Sequence, residues 1–177
     1  MTATFVEPGP DFRSFVRGYR HTAFRFEVRD RYNEPSEVEE IRRFEAGEPL
    51  SAEFVEPWRA MMRERTADGA RMTRVRVVTE PHSSYTRFAL HLGTLNVEAG
   101  EDIRYLPRHA PAVAELPDHD WWLIDSTRVG ILRFADDDVL VGAELIDDPE
   151  MVVRYNYWRD VALHYATPLR EYVGDQG

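Results

Sequence analysis

Two residue types are missing from these 177 residues: there is no cysteine, and all 22 basic residues are arginine, with no lysine. Without cysteine there is no disulfide framework, no thiolate metal site and no cysteine nucleophile. Without lysine there is no Schiff base, no P-loop lysine and no His-x-Lys constellation. Codon bias in a GC-rich genome accounts for the exchange, because arginine replaces lysine readily on surfaces; the exclusion of lysine chemistry holds whatever its origin. No apolar run approaches the length of a membrane span, and the opening MTATFVEPGP lacks the charged-then-apolar pattern of a signal peptide, so a cytoplasmic location is expected.

A surplus of positive charge is also lacking. The net charge of −10 argues against nucleic-acid binding by bulk electrostatics, which needs a cationic face, and leaves room only for a local basic patch. The spaced signatures G-x-S-x-G, H-E-x-x-H, G-x-G-x-x-G and the EF-hand loop are absent, and the six histidines show no ligand spacing. No cofactor and no metal are therefore expected. The acidic run Asp136-Asp137-Asp138 reads as a hairpin turn, since it lacks the alternation of a calcium loop.

What is present is an ordinary globular composition, 43% hydrophobic and 12% aromatic, at a length that suits one domain. The stretch Asp118 to Asp148 carries three apolar runs, Trp121 to Ile124, Val129 to Phe134 and Val139 to Ile146, split by polar breaks. Runs of this kind read as three consecutive antiparallel strands. His119 and Asp125 bracket the first of them and form a candidate acid-base or nucleophile pair. Further strands are expected at 22–30, 71–79 and 102–106. On 71–79, Val75 and Val77 face one way while Arg74 and Arg76 face the other, either toward solvent or as a two-pronged floor for a carboxylate or phosphate.

Between the strands, helices are expected after Asp11, after Ser36 with Glu39 completing a capping box, from about Ser51 or Glu53 to Thr66, and from a Ser83-Ser84 cap to about Asn96. The first nine residues look like a leader arm. Residues 107–117 form a proline-bracketed loop. A long final helix starts at Asp148-Pro149 with Met151, Tyr155, Trp158 and Ala162 along one stripe, an amphipathic face that suits the sheet or a dimer interface.

From Arg71 onward, the strand RVRVV, a helix, the AGEDIRYL strand, a loop, then His119-Asp120-Trp121-Trp122-Leu123-Ile124-Asp125, Val141-Gly142-Ala143-Glu144 and an aromatic helix ending Ala166-Thr167-Pro168 resemble one half of the phospholipase D-like fold. The resemblance implies a histidine nucleophile at His119. Trp121 stands where the family has its lysine, Asp125 falls one residue early, and the Gly-Ser motif is replaced, so a degenerate, non-catalytic member is implied. The chain is also similar to a family of actinobacterial single-domain proteins of unknown function, encoded beside helix-turn-helix regulators. The segments that carry this likeness are Arg74 to Val78, Tyr85-Thr86-Arg87, Gly100 to Arg104, Trp122 to Asp125 and Ala166 to Tyr172.

The expected fold is α+β, a mixed sheet of about six strands with helices on its faces, in one domain. Residues 1–70 would be an N-terminal extension and 71–173 the phospholipase D-like unit. The expected function is a non-catalytic cytoplasmic binding or regulatory module, homodimeric, recognising a partner protein or a small anionic ligand and associated with a transcriptional regulator. Arg74, Arg76, Tyr85, Arg87, His119 and Asp125 are the candidate ligand contacts. The plainer alternative makes Arg87, Glu101, Asp102 and Arg104 salt bridges that tie helix to sheet. The enzymatic alternative is a phosphodiester or phosphate-ester hydrolase using His119, with Asp125 beside it and arginines as charge clamp.

Overall fold

A computed structural model describes residues 3–174. In chain order the elements are β1 (Thr4–Val6), α1 (Pro10–Arg17), β2 (Thr22–Glu27), α2 (Val38–Glu45), α3 (Ala52–Ala67), β3 (Arg71–Val78), α4 (Ser84–Glu98), β4 (Asp102–Pro107), β5 (Trp121–Ile124), β6 (Arg128–Phe134), β7 (Leu140–Ile146), α5 (Pro149–Tyr165), β8 (Thr167–Pro168) and α6 (Leu169–Gly174). The strands form one mixed sheet in the order β1-β7-β6-β5-β2-β3-β4-β8. β2, β3 and β4 run parallel and every other pairing is antiparallel.

The sheet is α+β and mixed, with helices on its faces, but it has eight strands instead of about six. The two additional strands are the edges β1 and β8, of three and two residues, too short to show an alternating pattern. The expected leader arm therefore contains a strand, paired with β7. Nor does the sheet divide at residue 70: β2 lies between β5 and β3, at the centre. The first 70 residues supply a central strand and the α2–α3 crossover that a parallel neighbour requires.

Local chemistry explains most boundaries. Ser51, Ser83 and Asp148 cap α3, α4 and α5 by accepting the amides of Phe54, Thr86 and Met151. The expected Ser36–Glu39 box does not form. Glu34 caps a 3₁₀ turn over Pro35–Glu37 instead, and Ser36 donates its hydroxyl to Glu34. β2 stops at Glu27, short of the expected residue 30, because the next amide, that of Val28, donates to the Asp120 carboxylate. The β5–β6 turn places Asp125 and Ser126 at φ 50° and 57° and closes with the Thr127 amide on the Ile124 carbonyl, the primed geometry that suits a tight hairpin.

The sheet is covered on both sides. Phe24, Phe26, Val75, Val77, Trp121 and Leu123 pack with Tyr155 and Ala162 of α5. On the other face Ala23, Met72, Trp122 and Leu132 meet Phe15 of α1 and Met62 of α3, while Ile103 and Tyr105 meet Leu169 and Tyr172 of α6. Among the described residues no helix is long and apolar enough to cross a membrane.

Helix α1 lies close against the sheet at Gly130, where an added Cβ would stand 2.6 Å from a Phe15 ring carbon. We expect Gly130→Ala to lower stability by about 1–3 kcal/mol, the usual effect of overpacking a closed core. Denaturant titration of the two proteins measures the difference.

Candidate functional site

The face of the sheet turned toward α1, α3 and α4 carries charge at its centre. Arg25 of β2 stands opposite Arg74 of β3 and Trp122 of β5, and Glu27 stands opposite Arg76. Arg76 in turn faces Tyr105 of β4. Parallel strands at the centre of a sheet are covered on both faces, so these alternating charges are enclosed.

Enclosed charges must pair. Glu27 does so with three arginines: its Oε1 lies 2.8 Å from Arg74 Nη1 and 3.4 Å from Arg25 Nε, and its Oε2 lies 2.6 Å from Arg76 Nη2. The Arg76 contact is the shortest of the three ion pairs. Two further acids complete the charge balance. Asp120 holds Arg25 Nη2 at 2.7 Å and also accepts from the Tyr32 hydroxyl and the Val28 amide. Glu101 holds Arg74 Nε at 2.7 Å and accepts from Trp58 Nε1 of α3. Three arginines thus meet three carboxylates. The Glu101 and Asp120 side chains have no exposed surface.

The titration behaviour follows from this arrangement. Burial pushes the Glu27 carboxyl up, but the guanidinium groups of Arg76, Arg74 and Arg25 outweigh it and hold Glu27 down at about 2. Burial raises the Asp120 carboxyl above its ordinary value despite Arg25. Burial also raises Glu37, which accepts a 2.8 Å hydrogen bond from the Tyr85 hydroxyl.

Above this floor lies a cavity of about 350 Å³, walled by aromatic and aliphatic side chains of α1, α3 and α4 and by the β6–β7 hairpin. Its rim includes Tyr32 and Glu34, and the chain just before and within it is tied to the hairpin turn. Arg29 and Arg31 pair with Asp138, and the Asn33 amide donates to the Asp138 carbonyl at 3.1 Å. Several buried polar atoms of the lining have no hydrogen-bond partner among the described residues: Arg76 Nε and Nη1, Arg25 Nη1, Asn96 Oδ1 and the Tyr105 hydroxyl. The cavity therefore offers planar cationic donors on an aromatic-walled floor, a composition that fits a small organic molecule with an acceptor edge.

The structure separates the six candidate contacts. Arg74, Arg76 and Tyr85 line the cavity. Arg87 points elsewhere and donates to the His82 carbonyl at 2.8 Å. His119 lies on the α5 side of the sheet, with Nε2 2.8 Å from the Tyr155 hydroxyl and Nδ1 3.5 Å from Asp118; burial lowers its pKa. Asp125 accepts the amides of Arg20, His21 and Thr22 and so anchors the loop between α1 and β2. His119 and Asp125 bracket β5 along the chain but serve different partners. Of the residues in the plainer alternative, Glu101 does tie α3 to the sheet, whereas Arg104 pairs with Asp102 of its own strand.

Arg25, Glu27, Asn96, Tyr105 and Trp122 belong to the site without having been singled out. The available signal was the charge alternation shared by TAFRFE and RMTRVRVV on strands joined by helical crossovers, since such strands have no solvent face.

The chain is thus an α+β protein built on one eight-stranded sheet, with an ion-floored cavity under its helical layer. Residues 10–174 match the family described as Domain of unknown function (DUF6879), and the chain belongs to that family. A comparison with curated proteins found no match.

Replacing Glu27 by Gln leaves three buried arginines under-compensated. The expected loss is about 3–5 kcal/mol at neutral pH, as for other buried pairs deprived of one partner. Because the folded-state pKa of Glu27 is depressed, its contribution is present above its ordinary value of 4.5 and disappears as pH falls toward about 2. The stability difference between wild type and Glu27→Gln should therefore shrink across that window. Denaturant titrations at a series of acidic pH values read it directly.

Proposed function

We propose that this protein is a non-catalytic binding module that holds a small organic anion, a carboxylate in the first instance, in the cavity between the sheet and α1, α3 and α4. The observation that carries the reading is Arg76. Its side chain is buried, one nitrogen is paired with Glu27, and the buried Nε and Nη1 have no protein partner among the described residues, in a residue that lines the cavity. Leaving guanidinium donors buried and unpaired costs about 1–3 kcal/mol or more, and ligand oxygens on Nε–H and on Nη1–H, which lie on different edges of the guanidinium, remove that cost as two separate charge-assisted hydrogen bonds. Arg25 Nη1 adds a third donor nearby.

The hydrolase alternative draws less support. His119 has both ring nitrogens near Tyr155 and Asp118, and α5, with Tyr155, packs on the face of the sheet opposite Arg74 and Arg76. The phospholipase D-like resemblance supports the same preference, because the lysine that would hold phosphate charge is replaced by Trp121. In the setting suggested by the likeness to proteins encoded beside helix-turn-helix regulators, the bound anion would be a signal passed to a partner protein.

Calorimetric titration with phenylpropionate tests the reading, with inorganic phosphate as comparison. Saturable binding of the carboxylate by the wild type is expected, together with a rise in Tm. Arg76→Met, checked for folding by circular dichroism, should bind about tenfold or more weakly, as the loss of charge-assisted hydrogen bonds dictates. Equal binding by wild type and Arg76→Met, or no binding of the carboxylate at all, overturns it.

A further inference from the structure

We infer that the cavity is built for an aromatic carboxylate that carries a hydrogen-bond donor at the end remote from its carboxylate. The inference rests on the carboxylate-binding reading above and adds the ligand's body and far end.

The first observation is Asn96. Its side chain is 8% exposed, it lines the cavity, and its Oδ1 has no hydrogen-bond partner among the described residues. A buried amide oxygen in this state is an acceptor waiting for a donor, and a carboxylate cannot satisfy it. The polar groups of the cavity thus include guanidinium donors on the sheet and an amide acceptor on the helix, beside the carboxyl groups of Glu27, Glu34 and Glu37 and the hydroxyls of Tyr32, Tyr85 and Tyr105.

The second observation is the face that α4 turns to the cavity. Tyr85, Ala89, Leu92, Gly93 and Asn96 all line it, the spacing of one helical stripe. Tyr85 stands at the first turn and Asn96 near the last. The residues between them are apolar, and two of the three are the smallest available. A Cβ on Gly93 would stand 3.3 Å from Leu169 Cδ2 and 3.6 Å from the Tyr105 hydroxyl. Ala89 and Gly93 take up little room beside Leu92 along the middle of α4, and the polar groups of Tyr85 and Asn96 lie apart along the helix. One turn, about 5 Å, separates Gly93 from Asn96.

The third observation concerns the walls. Trp58 donates its ring nitrogen to Glu101, so only its ring surface is left for a ligand. Trp122 lies under Arg25, with the guanidinium carbon 5.4 Å from the ring centroid. Phe54 completes an aromatic enclosure in which a flat ring has favourable stacked or edge contacts. An aromatic body joins the two polar ends without burying a further polar atom. The Tyr105 hydroxyl, buried without a partner, can donate to or accept from a substituent between them.

Three probes separate the parts of this inference: indolepropionate, its benzothiophene isostere, which keeps shape and carboxylate but lacks the N–H, and indolepropanol, which keeps the N–H but lacks the carboxylate. Each is titrated calorimetrically into the full chain as wild type, Asn96→Leu and Ala89→Leu. The wild type should bind indolepropionate about fivefold or more tighter than the benzothiophene acid, the effect of one buried hydrogen bond. Indolepropanol should bind about tenfold or more weakly than indolepropionate for want of the guanidinium contact. Asn96→Leu should remove the preference between the two acids, and Ala89→Leu should block both acids while keeping Tm, because it fills open volume. Equal binding of the two acids by the wild type, or undiminished binding by Ala89→Leu, overturns this inference and leaves the carboxylate reading standing. The wild-type comparison decides the matter even if Asn96→Leu does not fold. Failure of both acids to bind the wild type removes both readings together.

Discussion

Glu27 sits in a closed layer between sheet and helices and must be neutralised there, and much of the surrounding structure answers to that requirement. Its carboxylate meets Arg25 from its own strand and Arg74 and Arg76 from the next. Those cations exceed one charge, so Asp120 and Glu101 are drawn into the same layer to balance them. Each of the added acids also holds a structural element. Asp120 takes the Val28 amide and ends β2; Glu101 takes Trp58 and fixes α3 over the sheet. The network is a junction between elements that are distant in sequence.

Such a network is a poor route to stability. Buried ion pairs generally gain little over apolar side chains of the same volume, although removing one partner is costly. A sheet with apolar residues in place of these charges would be at least as stable. Three arginines are nevertheless enclosed there, and Arg25 and Arg76 carry donors with no partner among the described residues in the lining of an open volume. The opposite face of the sheet makes the contrast. There Trp121, Phe24 and Tyr155 pack ring against ring, with centroids 4.9 Å apart in both Trp121 pairs, and no comparable charge is enclosed among them. One face of the sheet is packed with rings, and the other carries the ion network amid its own apolar packing.

Strand periodicity and capping residues revealed much of the scaffold. The meander from Trp121 to Ile146, the caps at Ser51, Ser83 and Asp148, and the stripe on α5 could all be read from local pattern, because each depends on residues within a few positions of one another. Arg74 and Arg76 could be placed on one strand face for the same reason. Their burial could not, since alternation of charged and apolar residues is the mark of a half-exposed strand unless the strand is known to be central. The His119–Asp125 bracket shows the converse error of proximity. Residues at the two ends of one short strand are near in sequence, yet the turn geometry of Asp125 and the α5-side placement of His119 send them to separate partners.

The sequence by itself determined the class of chemistry open to this chain. With no lysine, any permanently charged buried cation must be arginine, and arginine favours planar, two-pronged recognition. Local order also determined most helices and the longer strands. Only the tertiary structure decided that Thr22–Glu27 is a central strand, that Glu27 is shared by three arginines, and that Asn96 of α4 lines the same cavity as they do. The physical reason is that these relations are set by which strands lie side by side, and parallel pairing joins segments separated by whole helices. No local periodicity encodes that choice, and both the enclosed charges and the open volume beside them follow from it.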